Sequence, residues 1–496
     1  MERFPTDPAS VEARRRTFLR GFPAIALAIF LAAVDQTVTS TALPAIAAEF
    51  AAVERVSWVV VAYLVAGTCA APVFGQLGDA YGRRNMLDVA LALNLAGCLV
   101  NAFAPTLPVL IAGRVLQGIG GGGLLTLAMS IIGESLPPRE RGRFQGHIAA
   151  MYASAAAFGP VGGGLLTEHF GWRSIFLVAP PLAVLAGVLA LRIARVAPAR
   201  TGPLRFDWLG LGLFILVVAP ALIGLDQARR MDAALVPLAV GLGMVAVLSL
   251  IALIAWEKRA PDPLLPISLL AEPSIWRTNL MGACVYGALV GSIAFLPIFL
   301  QAVRGLAPGE AGLVLLPLSV GGALGAVIVG KLMMRTGRGM LWPGIGLSIA
   351  AMMLVLIGTI AESAPIWLLP VLLGITAVGF GTSFPVSQTT VQVAAGPARL
   401  GAAAASVQFS RNLGAATGTA ILGAVLFGGL ALAGGEVAAM FARVIAAPDV
   451  VASLPAADAQ ALRAALVGAF RAMFYTAAAF CVVGAVLTTR VPLQRF

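Results

Sequence analysis

Gly75-Gln76-Leu77-Gly78-Asp79-Ala80-Tyr81-Gly82-Arg83-Arg84 is the stretch that decides how this chain folds. It is a short, charged, glycine-punctuated turn wedged between two long apolar runs. A turn this tight needs glycine for backbone freedom. Asp79 and the Arg83-Arg84 pair stand where one apolar helix ends and the next begins. There they can tie helix ends together by charged hydrogen bonds.

The rest of the chain has the same apolar character. Of 496 residues, 59% are hydrophobic and 11% charged, against roughly 25% charged in an ordinary soluble chain. One soluble core cannot bury that much apolar surface, whereas a bilayer can solvate it. Taking apolar runs of about 20 residues as spanning helices, fourteen are expected: 22–44, 57–77, 87–104, 107–132, 145–167, 174–192, 208–225, 233–255, 278–301, 310–334, 341–360, 366–390, 402–430 and 470–489. An even count puts both termini on one side. The side bearing Arg83-Arg84 holds 23 of the 33 Lys and Arg and the other holds 8, with Arg114 and Arg411 inside helices. By the positive-inside rule that side is cytoplasmic. The net charge of +11 therefore reflects topology, and no nucleic-acid partner is expected.

Arg15-Arg16-Thr17-Phe18-Leu19-Arg20 imitates a twin-arginine export signal, and Ala45-Ile46-Ala47 imitates a cleavage site. The intervening apolar segment is too long for a signal core and carries Asp35, so a retained first helix is expected. Cys69, Cys98, Cys284 and Cys481 all fall in apolar runs, as packing residues rather than a disulfide framework.

The chain also repeats itself. A shift of 255 residues lays Gly75, Leu77, Gly82 and Arg83 on Gly330, Leu332, Gly337 and Arg338, and Gly159 and Gly163 on Gly414 and Gly418. Two homologous six-helix halves follow. Asp79 falls on Met334, so the carboxylate is confined to the first half. The expected organisation is a cytoplasmic N-terminus (1–21), a first half (22–192), a linker with two additional spans (193–277; spans 208–225 and 233–255), a second half (278–489) with an outer loop (431–469), and a cytoplasmic C-terminus (490–496). Glu436–Ala447 and Ala456–Val467 in that loop have the composition of short interfacial helices.

The Gly75–Arg84 turn resembles the loop between the second and third helices of major facilitator superfamily transporters, where it serves as a cytoplasmic latch between conformations. Ala80 departs from the basic or polar residue common there. Asp35-Gln36-Thr37 through Ala42-Leu43-Pro44 is similar to the first-helix motif of the fourteen-span drug:proton antiporters of that superfamily. Arg114-Val115-Leu116-Gln117-Gly118 resembles their fourth-helix motif, whose arginine is implicated in proton handling. Gly159-Pro160-Val161-Gly162-Gly163-Gly164 resembles the fifth-helix antiporter signature, and Trp172-Arg173-Ser174-Ile175-Phe176 the segment entering the sixth helix. The set runs from about residue 22 to 489. It implies an all-α major facilitator fold, the latch residues Gly75, Asp79, Gly82, Arg83 and Arg84, and a hinge at Gly159, Pro160, Gly163 and Gly164.

The residues themselves point to the same chemistry. Asp35 lies 13 residues past Phe22, about 20 Å along a helix. In a core of about 30 Å it is the one deep carboxylate, which must be solvated or paired. It is the natural proton-exchange residue, weighed against a buried structural aspartate. Arg114 needs a carboxylate, backbone carbonyls or water, with Asp35 and Asp79 both conceivable partners; Arg411 poses the same question in the second half. Pro160 removes a helix hydrogen bond and the glycines beside it permit either a hinge or a close-packed seam. Thr39, Tyr63, Gln117, Tyr152, Tyr286, Phe380, Phe384, Gln388, Gln408 and Arg411 are candidates to line a substrate cavity.

Enzymatic readings have no support. The two histidines, His147 and His169, stand at opposite ends of one helix; there is no metal-spaced Cys/His cluster and no phosphate-cradling Gly-Lys-Ser/Thr loop. No cofactor is expected, and the energy source is a proton gradient. The expected function is proton-coupled export of lipophilic, monocationic or neutral drugs by alternating access across a cell inner membrane. The partners are protons, the bilayer and the small-molecule substrate; a periplasmic adaptor leaves no mark in the sequence. The alternatives are a lipid or metabolite exporter on the same fold, or a non-transporting membrane sensor or scaffold.

Overall fold

In a computed structural model, residues 8–51, 55–193, 205–229, 236–434 and 456–495 are described. Among them the secondary structure is helical apart from one isolated β-bridge between Arg338 and Arg495. The first helices are α1 (Pro8–Glu49), α2 (Trp58–Tyr81), α3 (Arg83–Ala102), α4 (Leu107–Ser135), α5 (Pro138–Phe170) and α6 (Ser174–Ala190). Then come α7 (Trp208–Arg229), α8 (Val236–Glu257) and a short α9 (Ile267–Leu270). The last set is α10 (Pro273–Ala302), α11 (Pro308–Thr336), α12 (Leu341–Ile360), α13 (Leu368–Gly381), α14 (Ser383–Ala395), α15 (Leu400–Leu432) and α16 (Ala456–Arg490).

Every apolar run of the sequence falls on a helix, with α13 and α14 together covering 366–390. Eleven described helices are long and apolar enough to cross a membrane, or twelve if the sharply bent pair at the α5–α6 junction counts as one span. Outside those eleven stand α6, which has 17 residues, its bent partner Val161–Phe170 in α5, and Trp208–Gly224 of α7, a shorter apolar stretch among the described residues.

One correction concerns the outer loop. Ala456–Val467 is not a separate interfacial helix: it is the first part of α16, which runs unbroken for 35 residues. Glu436–Ala447 lies outside the described residues.

α1–α6 close around one apolar core, built from Ile25, Ile29, Leu87, Leu124, Leu127, Ile148 and Ala186 among others. α10–α13, α15 and α16 close around a second, containing Met281, Phe299, Leu347, Leu354, Leu426, Phe470 and Phe474. Across a bilayer no hydrophobic difference separates lipid from helix, so close packing and small residues hold such bundles together. The repeat is visible in the geometry. α2 ends at Gly82 (φ 94°) and its counterpart α11 at Gly337 (φ 64°), both in the left-handed region that favours glycine.

The halves meet through α2 against α15 and α5 against α11, two pairs exchanged by the 255-residue shift, with α4 and α14 between them. A Cβ on Gly75 would stand 2.7 Å from the Gly401 carbonyl oxygen, and one on Gly142 would stand 3.3 Å from Gly330 Cα. Backbone therefore meets backbone on both sides, and the halves are closed at the end that carries the Gly75–Arg84 turn. α7 and α8 pair with each other, and α7 leans on α2 and α15. Phe214 of α7 stacks on Phe409 of α15, with ring centroids 5.1 Å apart. The far face of α8 exposes Val240, Met244, Val247, Leu248 and Ile251, as a lipid-facing helix should.

Candidate functional site

Asp35 is buried in the first half among α1, α3 and α4. Asn94 Nδ2 donates to its Oδ2 at 3.1 Å, and Gln117 reaches the same carboxylate. Thr39 Oγ1 donates to the Asp35 carbonyl one turn back. Arg114, 1% exposed, is not in salt-bridge contact with Asp35. Its Nε donates to the Val59 carbonyl at 3.0 Å and its Nη1 to Gln117 Oε1 at 2.6 Å, while its guanidinium lies 4.4 Å from the Tyr63 ring centre. Gln117 also accepts from Asn101 and donates to Cys98 Sγ. The carboxylate and the guanidinium thus sense each other through a bridging amide. Backbone carbonyl and neutral side chains are the partners of Arg114; Asp79 is not.

This network moves two residues out of the expected substrate wall. Gln117 and Tyr63 are held inside the first half, Tyr63 donating to the Ala32 carbonyl at 3.3 Å. The other flank of Asp35 is open in a limited way. A cavity of about 40 Å³ is lined by Asp35, Val38, Thr39, Leu166 and Phe176 among others. That is room for about three waters by the usual requirement of about 10–15 Å³ each.

At the Gly75–Arg84 turn the side chains diverge. Arg83 Nη2 reaches Asp79 Oδ1 at 2.6 Å and its Nη1 reaches Glu134 Oε1 at 2.8 Å. Asp79 in turn accepts the backbone N–H of Gly401 from the second half. Arg84 instead stays within the first half, donating to the Ala190 carbonyl and pairing with Asp88. Gly75 and Gly82 supply the close approach and the left-handed turn described above.

The Gly159–Gly164 signature packs against α1. α5 is continuous helix through Pro160. A Cβ on Gly159 would meet Thr37 Cβ at 2.9 Å and one on Gly163 would meet the Val38 carbonyl at 2.9 Å, so both glycines press α5 onto α1. Gly162 and Gly164 face nothing within 4 Å.

In the second half, Arg411 of α15 is 5% exposed and stands 3.9 Å from the Phe384 ring centre and 5.1 Å from that of Tyr286. Tyr152 of α5 is within electrostatic range of the same guanidinium. These four expected cavity residues are therefore brought together, from both halves. Gln408 belongs to the α2–α15 seam, bonded to Asn412, which bonds Thr68. Gln388 is buried in α14 with its Nε2 unsatisfied. Phe380, expected in the cavity wall, sits in the second core against the helices of its own half.

From the sequence, Asn94 and Asn101 have no assigned role and Cys98 has only a packing one. Their spacing of four and three places them on one face of an otherwise apolar helix, a polar stripe that could have been noticed. Glu134 stands near the end of α4, where an acid is commonplace, and Gly401 has no side chain to signal its role. Among the described residues no group of His, Cys, Asp and Glu has the geometry to hold a metal ion.

Buried ionisable groups within two packed, repeat-related helical halves define a multi-pass membrane transporter. Residues 25–419 match the Major Facilitator Superfamily, and the chain belongs to it. It is 28% identical to the multidrug transporter protein MdtP of Bacillus subtilis (strain 168), covering 96% of this chain and 93% of that one. It is 32% identical to the acurin A biosynthesis cluster MFS-type transporter of Aspergillus aculeatus, covering 82% and 74%. Among solved structures it resembles the human organic anion transporter MFSD10 (TETRAN), with a TM-score of 0.63 at 15% identity over 95% of this chain and 99% of that one, a likeness of fold alone.

Proposed function

We propose that this chain is a proton-coupled exporter of lipophilic small molecules, an antiporter working by alternating access. It would cross a cell inner membrane fourteen times with both termini cytoplasmic, so that the Asp79 turn is an inner latch. The two halves would be residues 22–192 and 278–489, with 193–277 as the inserted linker. The likeness to a multidrug transporter over nearly the whole chain supports drug efflux. Proton coupling rests on one observation: Asp35 is a buried carboxylate held by a neutral amide and separated from Arg114 by Gln117. A carboxylate without a direct counter-ion can take and give a proton without breaking a salt bridge.

In this scheme a proton from outside reaches Asp35 by way of the small cavity beside it. Protonation removes the charge that Arg114 balances and changes the hydrogen bonding of α1, α3 and α4. The latch releases, the halves rock, and the proton leaves on the inner side as substrate leaves on the outer. The proton gradient is the only energy source required. Of the monocationic and neutral substrates the sequence admits, the surroundings of Arg411 disfavour the monocationic.

Everted vesicles carrying the protein should show substrate-dependent proton movement. Proton-independent export would remove antiport, and absence of flux for any compound would leave a membrane sensor or scaffold. The Aspergillus relative, named for a biosynthesis cluster, favours one second reading, a metabolite exporter on the same fold. Flux of such metabolites without flux of dyes would support it.

A further inference from the structure

Arg114 and Arg411 lie within their helices, α4 and α15, and their surroundings differ sharply. Arg114 has a backbone carbonyl, a glutamine oxygen and a tyrosine ring. Arg411 is almost as buried, yet no carboxylate pairs with it among the described residues, and its Nη2 has no acceptor. The rings of Phe384 and Tyr286 face it, at 3.9 and 5.1 Å. An arginine stays ionised, and a buried charge with unused donors is costly unless something completes it. Ring faces attract the cation but leave its N–H donors unused.

The place matters as much as the charge. Arg411 is eleven residues beyond Leu400, about 16 Å along α15, hence deep in the bundle. Tyr152 comes from the first half, and it packs with Phe384 against the same core cluster. The group therefore straddles the contact between the halves, where a transporter of two repeats exposes its ligand alternately to each side.

We propose that Arg411, with Tyr286, Phe384 and Tyr152, is the substrate-recognition subsite, and that it takes lipophilic aromatic compounds carrying one carboxylate or comparable oxyanion. The proposal rests on the exporter reading and names the substrate class of its site. The oxyanion accepts the free guanidinium N–H groups, a geometry that arginine offers in bidentate form. The aromatic frame stacks among the three rings. A cationic ligand would meet a fixed like charge with no acid to offset it.

The test uses purified full-length protein in phosphatidylcholine nanodiscs, which contain no anionic lipid. Three probes share one skeleton: 1-naphthylacetate, its methyl ester and 2-(1-naphthyl)ethylammonium. Equilibrium binding should favour the acetate over the ammonium at least tenfold. Arg411→Gln should remove that preference with the ester changed less than threefold, and Arg411→Lys should keep part of it. Equal or tighter binding of the ammonium to the wild type overturns the proposal, a result that needs no variant to fold. Unaltered acetate preference in Arg411→Gln overturns it as well. Competitive displacement of the acetate by added phosphatidylglycerol would assign the site to a lipid headgroup and overturn the small-molecule assignment. Because binding is read without a gradient and without transport, failure of proton coupling and failure of this subsite are separate results.

Discussion

The carboxylate of Asp79 on α2 accepts the backbone N–H of Gly401 on α15, at 3.1 and 3.2 Å to its two oxygens. A side chain of the first half thereby caps a helix of the second, where a negative charge is favoured by the exposed N–H groups of the first turn. Arg83 holds the carboxylate in place, anchored itself by Glu134. The contact exists only while the halves are closed at this end.

Removing it should bias the molecule toward opening at this end. Losing a charged hydrogen bond in a part-buried site costs about 1–3 kcal/mol, about a 5- to 150-fold population shift. Asp79→Ala, with spin labels at the exposed Tyr81 and Arg399, should show a new long-distance population. Ligand binding should stay near normal while turnover slows, and Arg83→Ala should act in the same direction. An unchanged distance distribution would separate Asp79 from the closure.

Gly75 makes a second, steric prediction. A side chain there would collide with the Gly401 backbone, which cannot rotate away. Gly75→Val should therefore fold, since each half keeps its own core, yet fail to close and lose at least tenfold in turnover. Wild-type turnover in this variant would show that the closed contact is dispensable.

Asp35→Asn keeps the size and the hydrogen bonding with Asn94 but cannot exchange a proton. It should insert normally and lose proton-driven export by at least tenfold, with Asp35→Glu retaining a fraction. Full gradient-driven export by the Asn variant in vesicles would take Asp35 out of the coupling.

At the opposite end of the bundle, Glu49 accepts from the Trp172 indole N–H at 2.7 Å and pairs with Arg173 at 2.7 Å. The Trp172 bond, with Arg173 helping, holds this carboxyl below its ordinary 4.5. A depressed carboxyl contributes stability that is present above its unfolded value and lost as pH falls through the folded one. The gap in Tm between wild type and Glu49→Gln should be full at pH 7 and close as pH drops below about 4.5. A gap independent of pH would mean that the ionised form is not what binds α1 to the α5–α6 corner.

What the sequence by itself determined is the part governed by local composition. Apolar runs of bilayer length, with 23 of 33 basic residues on one side, specify an all-helical membrane chain whatever the helices touch. Glycines at 82 and 337 specify left-handed helix ends at equivalent places in two halves, and the depth of Asp35 and Arg114 follows from counting residues along a helix. The tertiary structure alone decided partnership, because a side chain's neighbours come from helices far away in sequence. It separated Asp35 from Arg114 by Gln117, and it gave Asp79 a glycine N–H as partner, which no residue pattern announces. Gly159 and Gly163 became a packing seam because α1 happens to lie against them. Phe380 and Phe384 are four residues apart, yet Phe380 belongs to the second core while Phe384 stacks on Arg411. The direction in which each faces was fixed by the helices around α13 and α14, not by the residue itself.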